Sequence, residues 1–185
     1  MEVGKKLYVT DRKVWRSWLV KNHTKEKEIW LVYYKKSSGK KRIPYNDAVE
    51  EALCFGWIDG ILKGVDEQSF AQRFTPRRKK SVLSELNKER IRNMIKEKKM
   101  TDAGLTAVSH AFDKDKDEFT IPKDILNSLK KDKLIWENFQ NFSKSYQRVR
   151  IMWIDTARSR PEIFEKRLLY FIKMTAKNKK YGMMQ

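Results

Sequence analysis

Between Asp11 and Asn22, apolar residues recur at helical intervals as Val14, Trp15, Trp18 and Leu19, with Thr10 placed to cap, and this spacing predicts an amphipathic helix. Glu28 to Tyr34 reads instead as a strand, rich in β-branched and aromatic residues and bounded by the polar loop Ser37-Ser38-Gly39-Lys40-Lys41. A second helix opens at Pro44, where the first backbone N–H needs no partner. It ends at Gly56, which can take the left-handed conformation, and Tyr45, Val49, Ala52 and Leu53 form its buried stripe.

After Gly56 the period changes to two, and a hairpin is predicted around a turn at Gly64-Val65-Asp66-Glu67-Gln68. Pairing Lys63 with Ser69 sets Leu62 opposite Phe70 and Ile58 opposite Phe74, which places these four apolar side chains on one face. The same pairing sets Asp59 opposite Arg73 on the reverse face, with Trp57, Ile61, Ala71 and Thr75 as neighbours. Trp30 and Tyr34 of the earlier strand can frame that pair.

A basic loop, Pro76-Arg77-Arg78-Lys79-Lys80-Ser81, leads to a helix predicted from about Ser84 to Lys98, with Leu83, Leu86, Ile91, Met94 and Ile95 on its apolar side. Thr101 caps a shorter helix that ends near Phe112. Residues 113–120 are charged and nearly free of apolar side chains, as a linker would be. Helices are then predicted from Pro122 to about Lys130, from Leu134 to Phe142, from Lys144 to Arg158 behind Ser143, and from Pro161 to about Asn178. The fold expected is α+β: a small antiparallel sheet with flanking helices over 1–112, a linker over 113–120 and a helical C-terminal domain over 121–185.

On a wheel of the last helix, Phe164, Leu168, Phe171, Ile172 and Thr175 gather on one side while Lys166, Tyr170, Lys173 and Lys177 fall opposite. Such a basic stripe can track phosphates, with the tyrosine stacking on a base, although a solvated amphipathic helix has the same pattern. Charge raises the interest of the stripe, because 42 Lys and Arg against 24 Asp and Glu give a net +18 that favours anionic partners. Cys54 is the only cysteine, so no intrachain disulfide can form, and with two histidines it makes no zinc-ligand cluster. The absence of a long apolar run or a signal-peptide pattern leads to the expectation of a cytoplasmic protein with no membrane span.

The stretch Glu50-Glu51-Ala52-Leu53-Cys54-Phe55-Gly56-Trp57-Ile58-Asp59-Gly60, followed by Gln72-Arg73-Phe74-Thr75-Pro76-Arg77-Arg78 and Ser81, resembles the bacterial YdeI/OmpD-associated family, also labelled bacteriocin-protection proteins. Trp30 to Lys35, Asn87, Met100-Thr101 with Gly104, and Ile121-Pro122 with Asp124 are similar to the same pattern. Two departures stand out: Leu83 where the family has tryptophan, and Glu97-Lys98-Lys99 without the glycine that ends the preceding helix. The resemblance implies a role in envelope stress or bacteriocin tolerance and carries over no catalytic residue and no cofactor.

The candidate chemistry divides into three readings. In the first, Asp59 orients Arg73 so that its remaining N–H donors meet an anionic ligand, with Arg77 and Arg78 adding charge and Tyr34 and Trp57 framing the site; a plain cross-strand ion pair is the structural alternative. In the second, Lys166, Tyr170, Lys173 and Lys177 bind nucleic acid without sequence preference. In the third, the aromatic-framed pocket belongs to an enzyme. Glu50 and Cys54 share a helix face, yet a neighbouring carboxylate raises a thiol's pKa and neither His23 nor His110 shares the element, so Cys54 reads as a packing residue. Dinucleotide, Walker-type and metal signatures are missing from the sequence, which ranks catalysis below binding.

Overall fold

The computed structural model describes residues 2–112 and 119–182. The chain divides into two compact units, Met1–Leu83 with Arg90–Asp113, and Ser84–Glu89 with Lys114–Gln185. Residues 113–118 of the expected linker lie outside the described residues.

In the first unit, helix α1 (Arg12–Asn22) is capped by Asp11, not Thr10. The Asp11 carboxylate accepts from the amides of Lys13 and Val14, two donors that a helix start leaves orphaned. Helix α2 (Tyr45–Cys54) starts behind Pro44 and is closed by Gly56 at φ +73°, as its pattern predicts. Strands β1 (Lys6–Tyr8), β2 (Ile29–Tyr34), β3 (Trp57–Gly64) and β4 (Ser69–Pro76) form one sheet in the order β1-β2-β4-β3. The β2-β4-β3 part is antiparallel, whereas β1 adds to β2 in parallel and makes the sheet mixed. Helix α3 (Glu85–Lys96), which belongs to the first unit from Arg90 onward, and the Thr101-capped α4 (Asp102–Val108) follow, and a short 3-10 turn runs through Ser109–Ala111.

The hairpin register differs from the expected one at two places. At the turn, Val65 and Asp66 donate to Ser69 O and the Gln68 amide donates to Asp66 Oδ1, so the loop is tighter than predicted and Gly64 faces Phe70. Lower down, three steps from Asp59 to Leu62 oppose two from Phe74 to Gln72, which is a β-bulge at Gly60-Ile61. Gln72 Nε2 donates to Gly60 O at 2.6 Å and satisfies the carbonyl that the bulge turns out of the ladder. The result pairs Ile58 with Thr75 and Asp59 with Phe74; Leu62 meets Gln72 and is half-exposed instead of facing Phe70 in the core.

Trp15, Leu19, Ile29, Leu31, Leu53, Trp57 and Phe74 anchor a core between the sheet and α1 and α2. Three tryptophans stiffen it: Trp15 stacks on Trp18 at 5.2 Å, and Trp18 meets Trp57 edge-on at 5.9 Å. The second unit contains α5 (Lys123–Lys130), α6 (Lys133–Asn141), α7 (Lys144–Asp155) and α8 (Pro161–Ala176). Its own core joins Ile125, Leu129, Phe139, Tyr146, Ile151, Ile154 and Phe171. Among the described residues no helix is long and apolar enough to cross a membrane.

Candidate functional site

The expected Asp59–Arg73 pair does not form. Side chains alternate across a strand, so moving Asp59 into register with Phe74 puts it on the face opposite to Arg73. Arg73 instead donates from Nε and Nη2 to Glu28 Oε2 at 2.8 and 2.5 Å. Trp30, its register partner on β2, donates its indole N–H to Glu28 Oε1 at 3.1 Å. The arginine has its aromatic frame and a different carboxylate. Arg73, followed by the Trp30 indole, holds the Glu28 carboxyl below its usual range. Both partners are about a third exposed, which limits such a pair to roughly 1 kcal/mol.

Asp59 belongs to another group. It accepts a 2.5 Å hydrogen bond from Tyr45 Oη, and its charge is felt by Tyr33, Tyr45, Arg77 and Arg90. Tyr33 projects from β2 on the same face and stacks on Phe70 at 5.5 Å, leaving a buried hydroxyl without a hydrogen-bond partner. Arg77 is fixed at the strand end by its amide, which donates to Gly56 O at 2.9 Å. Its Nη2 donates to Ser81 Oγ at 2.9 Å and Val82 O at 3.2 Å, while its Nε is buried and unpaired. Arg90 is 8% exposed and donates to Asn46 Oδ1 at 2.6 Å.

Burial pushes the phenols of Tyr33 and Tyr45 well above the ordinary tyrosine range, and Asp59 pushes in the same direction. Both therefore remain protonated donors at neutral pH. Burial also lowers Arg77 and Arg90, against the pull of Asp59 on Arg77 and of Tyr45, Glu50 and Asp59 on Arg90. Such a cluster can hold an anion: buried N–H and O–H donors beside guanidinium groups gain most from a charged acceptor. Tyr33, Tyr45 and Arg90 were not singled out as site residues from the sequence. The alternation of β2 put Tyr33 on the core side, but nothing in the pattern marks a hydroxyl left unpaired.

The remaining expected ligand residues lie elsewhere. Trp57 is a core side chain, 1% exposed, whose indole N–H donates to His23 O at 3.1 Å. Tyr34 meets Tyr8 edge-on at 5.1 Å and carries the Lys40 ammonium over its ring at 4.3 Å, beside a shallow hollow shared with Asp66, Glu67 and Gln68. Arg78 is exposed in the loop after β4. Arg77 is the one expected residue that shares the surroundings of Asp59.

Helix α2 also carries a set of carboxylates on its α1 side. Arg12 donates to Glu51 at 2.8 Å, to Glu50 at 2.9 Å and to Asp47 at 3.3 Å, and Arg16 donates to Glu51 at 2.7 Å. Glu50 is thereby committed to Arg12. Cys54 is fully buried, and burial, reinforced by Glu51, pushes its thiol up to about 11. In the second unit, Lys166, Tyr170 and Lys173 lie exposed along α8, and Lys177 lies exposed at its C-terminal cap.

Two family profiles match the chain in succession. Residues 7–107 match a family described as Domain of unknown function (DUF8412), which includes the strands, α2 and every residue of the Asp59 cluster. Residues 118–178 match the family described as Bacteriocin-protection, YdeI or OmpD-Associated. No curated protein and no solved structure matches the chain. The expected YdeI/OmpD-associated relationship is thus borne out in the C-terminal helices, while the motif around Gly56-Trp57-Ile58-Asp59 falls within the first match. The chain belongs, over more than half its length, to the DUF8412 family, and it continues into a YdeI/OmpD-associated, bacteriocin-protection domain.

Proposed function

We propose that this bacteriocin-protection-like protein works by binding a small anionic ligand, a phosphate or carboxylate group, at Tyr33 and Arg77 beside Asp59. The earlier placement at Asp59 and Arg73 is set aside, since those residues occupy opposite faces. One observation carries the proposal: two buried donors, Tyr33 Oη and Arg77 Nε, lie without partners around the same carboxylate. A buried donor left unmade costs about 1–3 kcal/mol, so the protein retains a cost that an acceptor would relieve.

Titration calorimetry at fixed salt with inorganic phosphate and with acetate tests this, comparing wild type with Tyr33→Phe and Arg77→Lys. Tyr33→Phe removes an unsatisfied hydroxyl, so it should stabilise the free protein by about 1 kcal/mol while weakening the anion several-fold. Arg77→Lys keeps charge but loses Nε and should weaken the anion about ten-fold. A Tyr33→Phe variant that is less stable than wild type, or anion binding that neither change alters, would overturn the assignment.

A further inference from the structure

A second site stands in the C-terminal unit, independent of the Asp59 cluster. Arg150 on α7 is 6% exposed, its Nε is buried without a hydrogen-bond partner, and among the described residues no carboxylate pairs with it. Aromatic rings surround it instead, with its guanidinium carbon 4.5 Å from the ring centre of Tyr181, 5.3 Å from Tyr146 and 6.0 Å from Trp153. The chain after α8 is shaped to this arrangement. The Tyr181 amide donates to Tyr146 Oη at 3.1 Å, and Gly182 lies so close that a β-carbon there would collide with Arg150 Nη2.

The rings continue to the surface. Tyr181 meets Tyr170 edge-on at 4.8 Å and Trp153 at 6.3 Å; Tyr170 is 45% exposed and Trp153 36%. Arg167 lies over Trp153 at 4.3 Å. From Lys166 to Gln185 the chain has six basic residues and no acidic one, the nearest acids being Glu165 and Glu162 at the start of α8. A buried guanidinium with which no carboxylate pairs among the described residues, a half-exposed aromatic surface and a run of cations with no acid in the sequence between them together match one ligand chemistry: planar rings joined by phosphates.

We propose that the C-terminal unit binds single-stranded nucleic acid, with bases stacking on Tyr170 and Trp153 and phosphates held by Arg167, Lys173 and Lys177 in the field of Arg150. The site differs from the lysine stripe read from the sequence, since its specificity comes from rings contributed by α7, α8 and the segment after α8. A lipid surface fits less well, because α8 turns Phe164, Leu168, Phe171 and Ile172 toward its own core and its exposed residues mix Ile163 and Leu169 with Glu162, Glu165, Lys166 and Lys173, which leaves no continuous apolar face to enter a bilayer.

The test is fluorescence anisotropy with the full chain and a labelled oligothymidylate of about 12 nucleotides. Heparin, a base-paired duplex and phosphatidylserine vesicles serve as comparison ligands. Tyr170→Ala, at an exposed position, should weaken the oligothymidylate about ten-fold and leave heparin unchanged, because heparin has charge but no bases. The double change Lys173→Gln, Lys177→Gln should weaken both and flatten the salt dependence. Equal binding of oligothymidylate by wild type and Tyr170→Ala would overturn the proposal. So would tighter binding of the duplex or the vesicles than of the single strand.

Discussion

The Cys54 thiol lies on the last turn of α2 with no accessible surface, and Glu51 in the turn before it opposes its ionisation. At pH ~8 a thiol at about 11 has a few hundred-fold less thiolate than a free one, and burial limits access further. Reaction with a disulfide reagent should therefore be at least about 100-fold slower in folded than in urea-unfolded protein. Comparable rates in the two states would mean that α2 opens easily or that the thiol is activated. Arg73 teaches a different lesson about single residues. Its aromatic neighbour was legible from the strand pattern, but its carboxylate was not. Glu28 stands two residues from Trp30 and so shares its face by alternation, but that it meets Arg73 depends on the pairing of β2 with β4, which alternation within one strand does not set.

Where α4 meets the end of α2, Gly104 lies tighter against a neighbouring backbone than the other glycines of the first unit. A β-carbon at this position would collide with Cys54 O, and that carbonyl is held by the Thr101 amide at 3.0 Å and the Thr101 hydroxyl at 2.7 Å. Gly104→Ala should cost about 1–3 kcal/mol or more in urea unfolding, because neither helix can yield without losing the Thr101 cap. Gly64→Ala, with nothing within 4 Å of the new carbon, should stay within about 0.5 kcal/mol. Equal losses in the two variants would exclude the crossing as the cause. The ends of α2, the Thr101 cap and the start of α8 were readable because Pro, Gly and Thr act there through local geometry that needs no distant partner. The bulge at Gly60-Ile61 was not, since an extra residue leaves the alternation on either side intact and changes only which residues meet. β1 went unseen for a related reason: three residues, Lys6-Leu7-Tyr8, are too few to show a period. The candidate site inherited the first of these errors. A register shift exchanged Arg73 for Tyr33 around Asp59 and left Arg77 in place.

Across the whole molecule, two electrostatic effects compete above neutral pH. With a net charge of +18, the folded chain repels itself, and lysine deprotonation near pH ~10 relieves that repulsion. The buried acids act in the other direction. Burial raises Cys54 to about 11 and Tyr181 to about 12, and it raises Tyr33 and Tyr45 further. Each of these groups holds its proton more tightly folded than unfolded. Its contribution is therefore complete below the unfolded value, about 8.5 for the thiol and about 10 for the phenols, and is lost as pH rises toward the folded value. Salt separates the effects, because surface repulsion is screened within about 10 Å at 0.1 M while buried groups are screened much less. Urea unfolding followed from pH ~7 to ~10.5 should show stability at neutral pH rising with added salt. In about 0.5 M salt it should fall from pH ~9 upward, with Tyr33→Phe and Cys54→Ala each flattening the fall. Stability that holds level or climbs through pH ~10 in high salt would show that these groups ionise as freely folded as unfolded, and would remove the buried, protonated Tyr33 on which the anion site depends.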